Sequence, residues 1–265
     1  MQVCIITCQN VGLYVMTKYP DYLFHYTSIK SLCLILRSKL LKFSRLDKVN
    51  DLDEANTKNF PYAKYFVFVS CWTSEEMESL PLWKMYSSDM KGVRIRLPVN
   101  MFKGRHLPNR EVAAYPIIPV DQSIFVKRKN LNYPCQLIGP HEITYEPQAL
   151  NNNDCFIENE DGTVKVDLLH LGTSKRMAWS FESEWRFKII GMPFEGKWKK
   201  QDFDPYKEVP TCESLFVNLD PSALSEIIVQ LGPRATLAES EIVELLLKNY
   251  APGAKLFDSS INIRM

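Results

Sequence analysis

The chain has 265 residues, 46% of them hydrophobic and 24% charged, close to globular averages and sufficient for one large domain with a buried core. Its 32 basic residues nearly balance 31 acidic ones, for a formal net charge of +1, which excludes a chain-wide basic field for nucleic acid and leaves room only for a local patch. Seven cysteines (Cys4, Cys8, Cys33, Cys71, Cys135, Cys155, Cys212) at irregular spacing, with no Cys-x-x-Cys pair and only four histidines, argue for reduced thiols in a cytoplasmic protein and against a zinc site.

No stretch approaches the roughly 20 apolar residues of a membrane span, so no membrane partner is expected. Residues 1–20 read as an N-terminal extension without the cationic start of a signal peptide, and Met16 is a candidate functional start. Residues 21–265 read as a single domain. Tyr22–Tyr26 is a short aromatic strand, and Thr27 or Ser28 caps an amphipathic helix over 29–37. Leu40–Ser44 is a second strand. Asp51 with Glu54 three residues on has the form of a capping box. Tyr65–Trp72 is apolar enough for a central strand. After the acidic loop Glu75–Ser79, Leu82–Ser88 is a short helix. Gly92 then opens an alternating strand with Val93, Ile95 and Leu97 inward and Arg94 and Arg96 outward.

Prolines interrupt the pattern between 100 and 160, where Tyr115–Val120 and Ile143–Tyr145 are strand candidates. Val166–Ala178 reads as a helix weakened by Gly172. Later elements are a strand at Ser214–Leu219, an Asp220-Pro221 helix start, a strand at Ile227–Leu231, and a Thr236/Glu239 capping box opening a helix to Tyr250. Short strands at Lys255–Phe257 and Ile261–Ile263 end the chain. Many short strands with few helices and no βαβ repeat make the class α+β.

The run Trp179–Phe187 concentrates the chemistry. Read as a strand, it puts Phe181, Trp185 and Phe187 on one face and Glu182, Glu184 and Arg186 on the other, with neighbours on a face roughly 6.5–7 Å apart. That pattern builds a mounted catalytic carboxylate, and equally an ordinary half-buried strand with an ion pair. Two further groupings stand apart from it: His25-Tyr26-Thr27-Ser28 at a strand-to-helix junction, and Ser70 through Trp83-Lys84-Met85-Tyr86 to Lys91-Gly92.

Their order, an early His, a helix aromatic after a central strand and a late Glu-x-Glu, resembles the His–Tyr–Glu layout of the ADP-ribosyltransferase superfamily. More closely, the chain resembles a bacterial family of uncharacterised domains distantly related to that superfamily. The matching pieces are Leu23-Phe24-His25-Tyr26-Thr27-Ser28, Asn50-Asp51-x-x-Glu54, Ser70-Cys71-Trp72, Leu82-Trp83-x-x-Tyr86, Lys91-Gly92-Val93, Ile143-Thr144-Tyr145, Lys175-x-x-x-Trp179-x-x-Glu182-x-Glu184-Trp185-Arg186 and Glu226-Ile227-Ile228-x-x-Leu231-Gly232-Pro233-Arg234. They cover about residues 21–250. Leu52 and Leu82 depart from it, standing where that family usually has Pro and Met.

The resemblance implies a split mixed or antiparallel sheet with flanking helices that grips NAD as a co-substrate, without a metal. Breaking the nicotinamide–ribose bond passes through an oxocarbenium-like state, which a fixed carboxylate stabilises. On this reading Glu184 is the catalytic carboxylate, and Glu182 tunes it or positions the acceptor. Arg186 pairs with either glutamate and keeps it ionised, and His25 holds the adenosine ribose with Tyr26 and Thr27 beside it. Tyr86 or Trp83 stacks on nicotinamide, and Ser70 supports the glutamate. The implied activity is an NAD-dependent ADP-ribosyltransferase acting on nucleic acid or protein, as an intracellular toxin or phage-defence effector with a neutralising antitoxin as a further partner. Arg94, Arg96, Lys127-Arg128-Lys129, Lys197, Lys199 and Lys200 offer local basic surface for a nucleic-acid acceptor. The alternatives are a catalytically silent nucleotide- or partner-binding module and a metal-dependent nucleic-acid hydrolase using Glu182 and Glu184.

Overall fold

Local sequence chemistry sets most of the elements in the computed structural model, which describes residues 19–102, 135–147, 155–191, 198–199, 209–210 and 212–264. The aromatic run becomes β1 (Tyr22–Thr27), and α1 (Ile29–Ser38) follows with the Ser28 hydroxyl accepting from the Ser31 N–H at 3.1 Å. Next come β2 (Leu40–Arg45), β3 (Val67–Thr73), α2 (Leu80–Tyr86) capped by Ser79, and β4 (Val93–Pro98). The middle of the chain supplies β5 (Cys135–Glu142), β6 (Thr144–Glu146), β7 (Phe156–Glu158), β8 (Thr163–Val166), β9 (Ser174–Arg176), β10 (Glu184–Gly191) and β11 (Trp198–Lys199). The chain closes with β12 (Ser214–Asn218), α3 (Pro221–Ser225), β13 (Ile228–Leu231), α4 (Leu237–Tyr250) and β14 (Lys255–Phe257). The Asp220 cap and the Thr236/Glu239 capping box form as their sequences dictate.

The class is α+β, with a mostly antiparallel sheet. Nine strands make the main sheet, in the order β12-β2-β3-β1-β4-β13-β14, with β10 on β3 and β5 on β10. All its pairings are antiparallel except β13 with β14. One face buries Leu23, Phe43, Phe68, Trp72, Ile95, Phe102, Trp185 and Phe187, with Leu32, Leu36, Val243 and Leu247 of α1 and α4 in the same cluster. Phe102 meets Phe187 edge-on at 4.9 Å.

The sheet is nearly parted in its middle. β1 pairs with β4 over six residues but meets β3 at a single pair, Phe24 with Thr73. β2 joins β3 further down, at Ser44 with Val69 and Arg45 with Phe68. Between these two joins the β1/β2 edge of Ser70, Cys71 and Trp72 faces a notch, while their other edge pairs with β10.

Five expectations are corrected. The run from Trp179 is not one strand: Met177–Glu182 is a 3-10 turn, Ser183 is left-handed at φ 42°, and the strand begins at Glu184. Phe181 is accordingly exposed instead of lining the core. Val166–Ala178 is not helical, because carbonyls that a helix would use internally serve buried cations. Leu169 and Leu171 accept from Lys188, and Gly172, at φ 70°, accepts from Arg186. Asp51 and Glu54 open no helix, since their carboxylates pair with Arg176 and Arg186. Arg94 is buried, not outward: it lies 4.5 Å over the Phe24 ring and donates to the Glu76 carbonyl. Ile261–Ile263 is no strand; the segment before it is held to Glu78 by Ser259 and Ser260. Residues 1–18 of the N-terminal extension, Tyr115–Val120 and Lys127-Arg128-Lys129 lie outside the described residues, as do Lys197 and Lys200.

Candidate active site

The notch holds a cavity of about 230 Å³. Its walls come from β1 (Phe24, His25, Tyr26), β2 (Lys42, Ser44), β3 (Val69–Thr73), α2 (Leu82, Tyr86), the Lys48–Asn50 turn and a charged group formed by Lys175, Glu182, Glu184 and Arg186. Strand alternation explains the polar floor. Glu184 and Arg186 lie opposite Thr73 and Cys71 in register and share their face, while Trp185 and Phe187 point into the core.

Arg186 is the centre of that floor and is fully buried. Its Nε and Nη2 donate to Glu184, Nη1 and Nη2 to Glu54, and Nη1 also to the Gly172 carbonyl at 3.1 Å. A guanidinium has five N–H donors, so every one is used, in two bidentate forks. Lys175, from β9, closes the next link. Its Nζ lies 2.8 Å from Glu184 Oε2 and also pairs with Glu182 Oε2. Glu182 Oε1 accepts from the Tyr86 hydroxyl at 2.5 Å, and that hydroxyl accepts from Asn50 Nδ2 at 2.8 Å. The result is one continuous line of alternating partners, from Glu54 in the interior to Asn50 at the surface.

The left-handed Ser183 makes this convergence possible. It turns the chain between Glu182 and Glu184, so the two carboxylates reach one ammonium instead of standing a strand repeat apart. The Thr73 hydroxyl donates to the Ser183 carbonyl at 3.1 Å, and the Glu184 N–H donates to the Tyr145 hydroxyl at 2.8 Å, which pins the corner.

Electrostatics separate the glutamates. Burial opposes ionisation of Glu184, but Arg186 and Lys175 outweigh it and hold its pKa at about 2. Burial lifts Glu182 above its ordinary value, opposed by Lys175 and reinforced by Glu184. Burial and the adjoining Glu182 push the Tyr86 hydroxyl up, and burial does the same to the Cys71 thiol beside Glu184. Burial lowers His25. Its Nδ1 lies 2.8 Å from the Cys71 carbonyl, which only accepts, so Nδ1 carries the proton and neutral Nε2 is an acceptor.

Of the predicted site residues, His25, Tyr26, Ser70, Tyr86, Glu182, Glu184 and Arg186 come together around the cavity; Thr27 and Trp83 do not. Thr27 ends β1 against Val93, where its carbonyl passes so close to Gly92 that a Cβ there would stand 2.3 Å from it. Trp83 is fully buried edge-on to Tyr26, and its indole N–H donates to Glu78 at 2.9 Å. Ser70 lines the cavity without supporting a glutamate. It sits on the Trp72 face of β3, and its hydroxyl accepts from the Trp72 indole at 2.9 Å.

Sequence reasoning missed Lys175, Asn50, Glu54 and Cys71 as parts of the site. Their signals were the Asn50-Asp51-x-x-Glu54 piece and the Lys175-x-x-x-Trp179 spacing, which read as a cap and a helix. All three polar residues of the first piece serve the site: Asn50 holds Tyr86, Asp51 holds Arg176 beside Lys175 at 2.9 Å, and Glu54 holds Arg186. Among the described residues no group of three or more His, Cys, Asp and Glu side chains is placed to hold a metal ion, and no helix is long and apolar enough to cross a membrane. Comparison of the chain with protein-family models, with curated proteins and with solved structures found no match.

Proposed function

We propose that the protein is an NAD-dependent ADP-ribosyltransferase, acting at the notch in its sheet on a nucleic-acid or protein acceptor. One observation carries the reading: His25, Tyr86, Glu182 and Glu184, from distant parts of the chain, converge on a single cavity where the sheet parts. The chemistry suits them. Glu184 is ionised across the accessible pH range and backed by Arg186, so it supplies fixed negative charge to a developing oxocarbenium and an acceptor for a ribose hydroxyl. Neutral His25 offers Nε2 to another hydroxyl, and the Tyr86 ring gives a flat wall for a cationic pyridinium. At about 230 Å³ the cavity is smaller than the roughly 300–1,000 Å³ of drug-sized sites, which suits the nicotinamide–ribose end of a dinucleotide with the rest outside. An effector role in toxicity or phage defence, restrained by an antitoxin, is part of the same proposal.

The test is nicotinamide release from NAD by the full chain. Glu184→Gln is expected to lower it by at least about a hundredfold, as for loss of one preorganised charge contact. No release by the parent protein ends the reading. A second reading, a silent binding module of the same architecture, has its own support: both Glu184 oxygens are already held by Arg186 and Lys175. NAD binding without turnover is its signature.

A further inference from the structure

Lys175 is the cation that touches both glutamates. We propose that Lys175 is a positioning residue that draws Glu182 and Glu184 onto one centre and favours the charged form of both. For catalysis this rests on the transferase reading; as a statement about the carboxylates it does not.

Lys175 Nζ contacts Glu182 Oε2 and lies 2.8 Å from Glu184 Oε2, with the Trp179 ring on a further side at 5.1 Å. Its side chain is only 5% exposed, so these contacts are shielded from water. It is also held from behind. β9 pairs in parallel with β6 at Tyr145 opposite Lys175, and the adjacent Arg176 binds Asp51 at 2.9 Å and Asp53 at 3.0 Å. Arg186, the other cation at the pair, is already committed. Arg186 spends all five donors on Glu54, Glu184 and the Gly172 carbonyl. Tyr86, which also binds Glu182, does so through a neutral hydroxyl.

The charge count follows. Glu54, Glu182 and Glu184 oppose Arg186 and Lys175, leaving one net negative charge at the cavity floor. Without Lys175 there are two, on adjacent buried carboxylates, and such a pair keeps a proton. The other titratable groups facing the pair are Cys71 on β3, Tyr86 on α2 and Tyr145 on β6. His25 on β1, Lys42 on β2 and Lys48 stand around the same cavity. All of them are present in both the parent and the variant.

The test is carboxyl-carbon NMR titration of the full chain labelled in glutamate, which needs no activity. Glu182→Gln assigns the Glu182 signal by deleting it. In Lys175→Met the Glu182 midpoint is expected to rise by at least about one unit, and Lys175→Arg is expected to bring it most of the way back. An unchanged midpoint in folded Lys175→Met overturns the proposal. If Lys175→Met does not fold, the double variant Lys175→Met/Glu182→Gln decides: removing one carboxylate with the cation restores the balance, so the double variant is expected to fold. Its failure shows that Lys175 acts through packing and overturns the proposal. Where nicotinamide release is present, the acid limb of its pH profile moves upward with the NMR midpoint. A moved midpoint without release in any variant leaves this assignment standing and ends the transferase reading.

Discussion

The two faces of β10 are equally buried and hold the protein together by different means. Trp185, Phe187 and Ile189 share one apolar cluster with β3, β4 and the two long helices. Each contributes roughly in proportion to the area it removes from water and needs no specific polar partner. Glu184, Arg186 and Lys188 are as inaccessible, yet each is tolerable only with named partners: Lys175, Glu54 and the carbonyls of Leu169, Leu171 and Gly172. Burial therefore stabilises one face directly and makes the other conditional. The conditional face also carries the cavity, which is where a strained corner and a chain of committed charges are functional features.

The sharpest break between the faces is Arg186→Met. It strands Glu54 as a buried, unpaired carboxylate and leaves Glu184 to Lys175 alone, and is expected to cost about 3–5 kcal/mol in urea unfolding. Should that variant unfold no more readily than a trimmed core residue, the distinction collapses. Lys188 gives an effect of similar size that pH can read. Burial, with Arg186 nearby, lowers its pKa to about 7, whereas in the unfolded chain it regains its ordinary value. Between these values the unfolded state binds the proton that the folded state has released, so stability rises with pH across the window. The contribution is complete above the unfolded pKa, shrinks as pH falls toward 7, and is flat below it. On this account stability gains about 5 kcal/mol over the window. Lys188→Met is expected to flatten that slope, and parallel slopes in variant and parent would count against it. The smallest effect belongs to the apolar face: Ile189→Val is expected to cost about 1 kcal/mol, the same at every pH.

Much of the frame was legible in order of local signal. Ser28, Asp220 and Thr236 cap the helices their side chains suit, and the alternation of Val93, Ile95 and Leu97 places them on the core face. The failures share one cause. Asp51 and Glu54 have the spacing of a cap, and residues 166–178 have a helical pattern, but both segments lose their local bonds to cations on β9 and β10. Trp83 and Ser70 have ligand-like chemistry, and nearby partners, Glu78 and Trp72, claim their polar atoms. The chain's own hydrogen bonds decide such cases, and residue type does not announce them.

What the sequence determined by itself was short-range: strand and helix positions, caps, the apolar stripe of β10, and the presence of His25, Tyr86, Glu182 and Glu184 in that order. Tertiary structure decided which charges meet. Glu54 and Arg186 are 132 residues apart and Tyr86 and Glu182 are 96 apart, and neither pairing has a periodicity to betray it. The turn at Ser183 then placed both carboxylates on Lys175, because one left-handed residue redirects a side chain that a regular strand would hold a full repeat away.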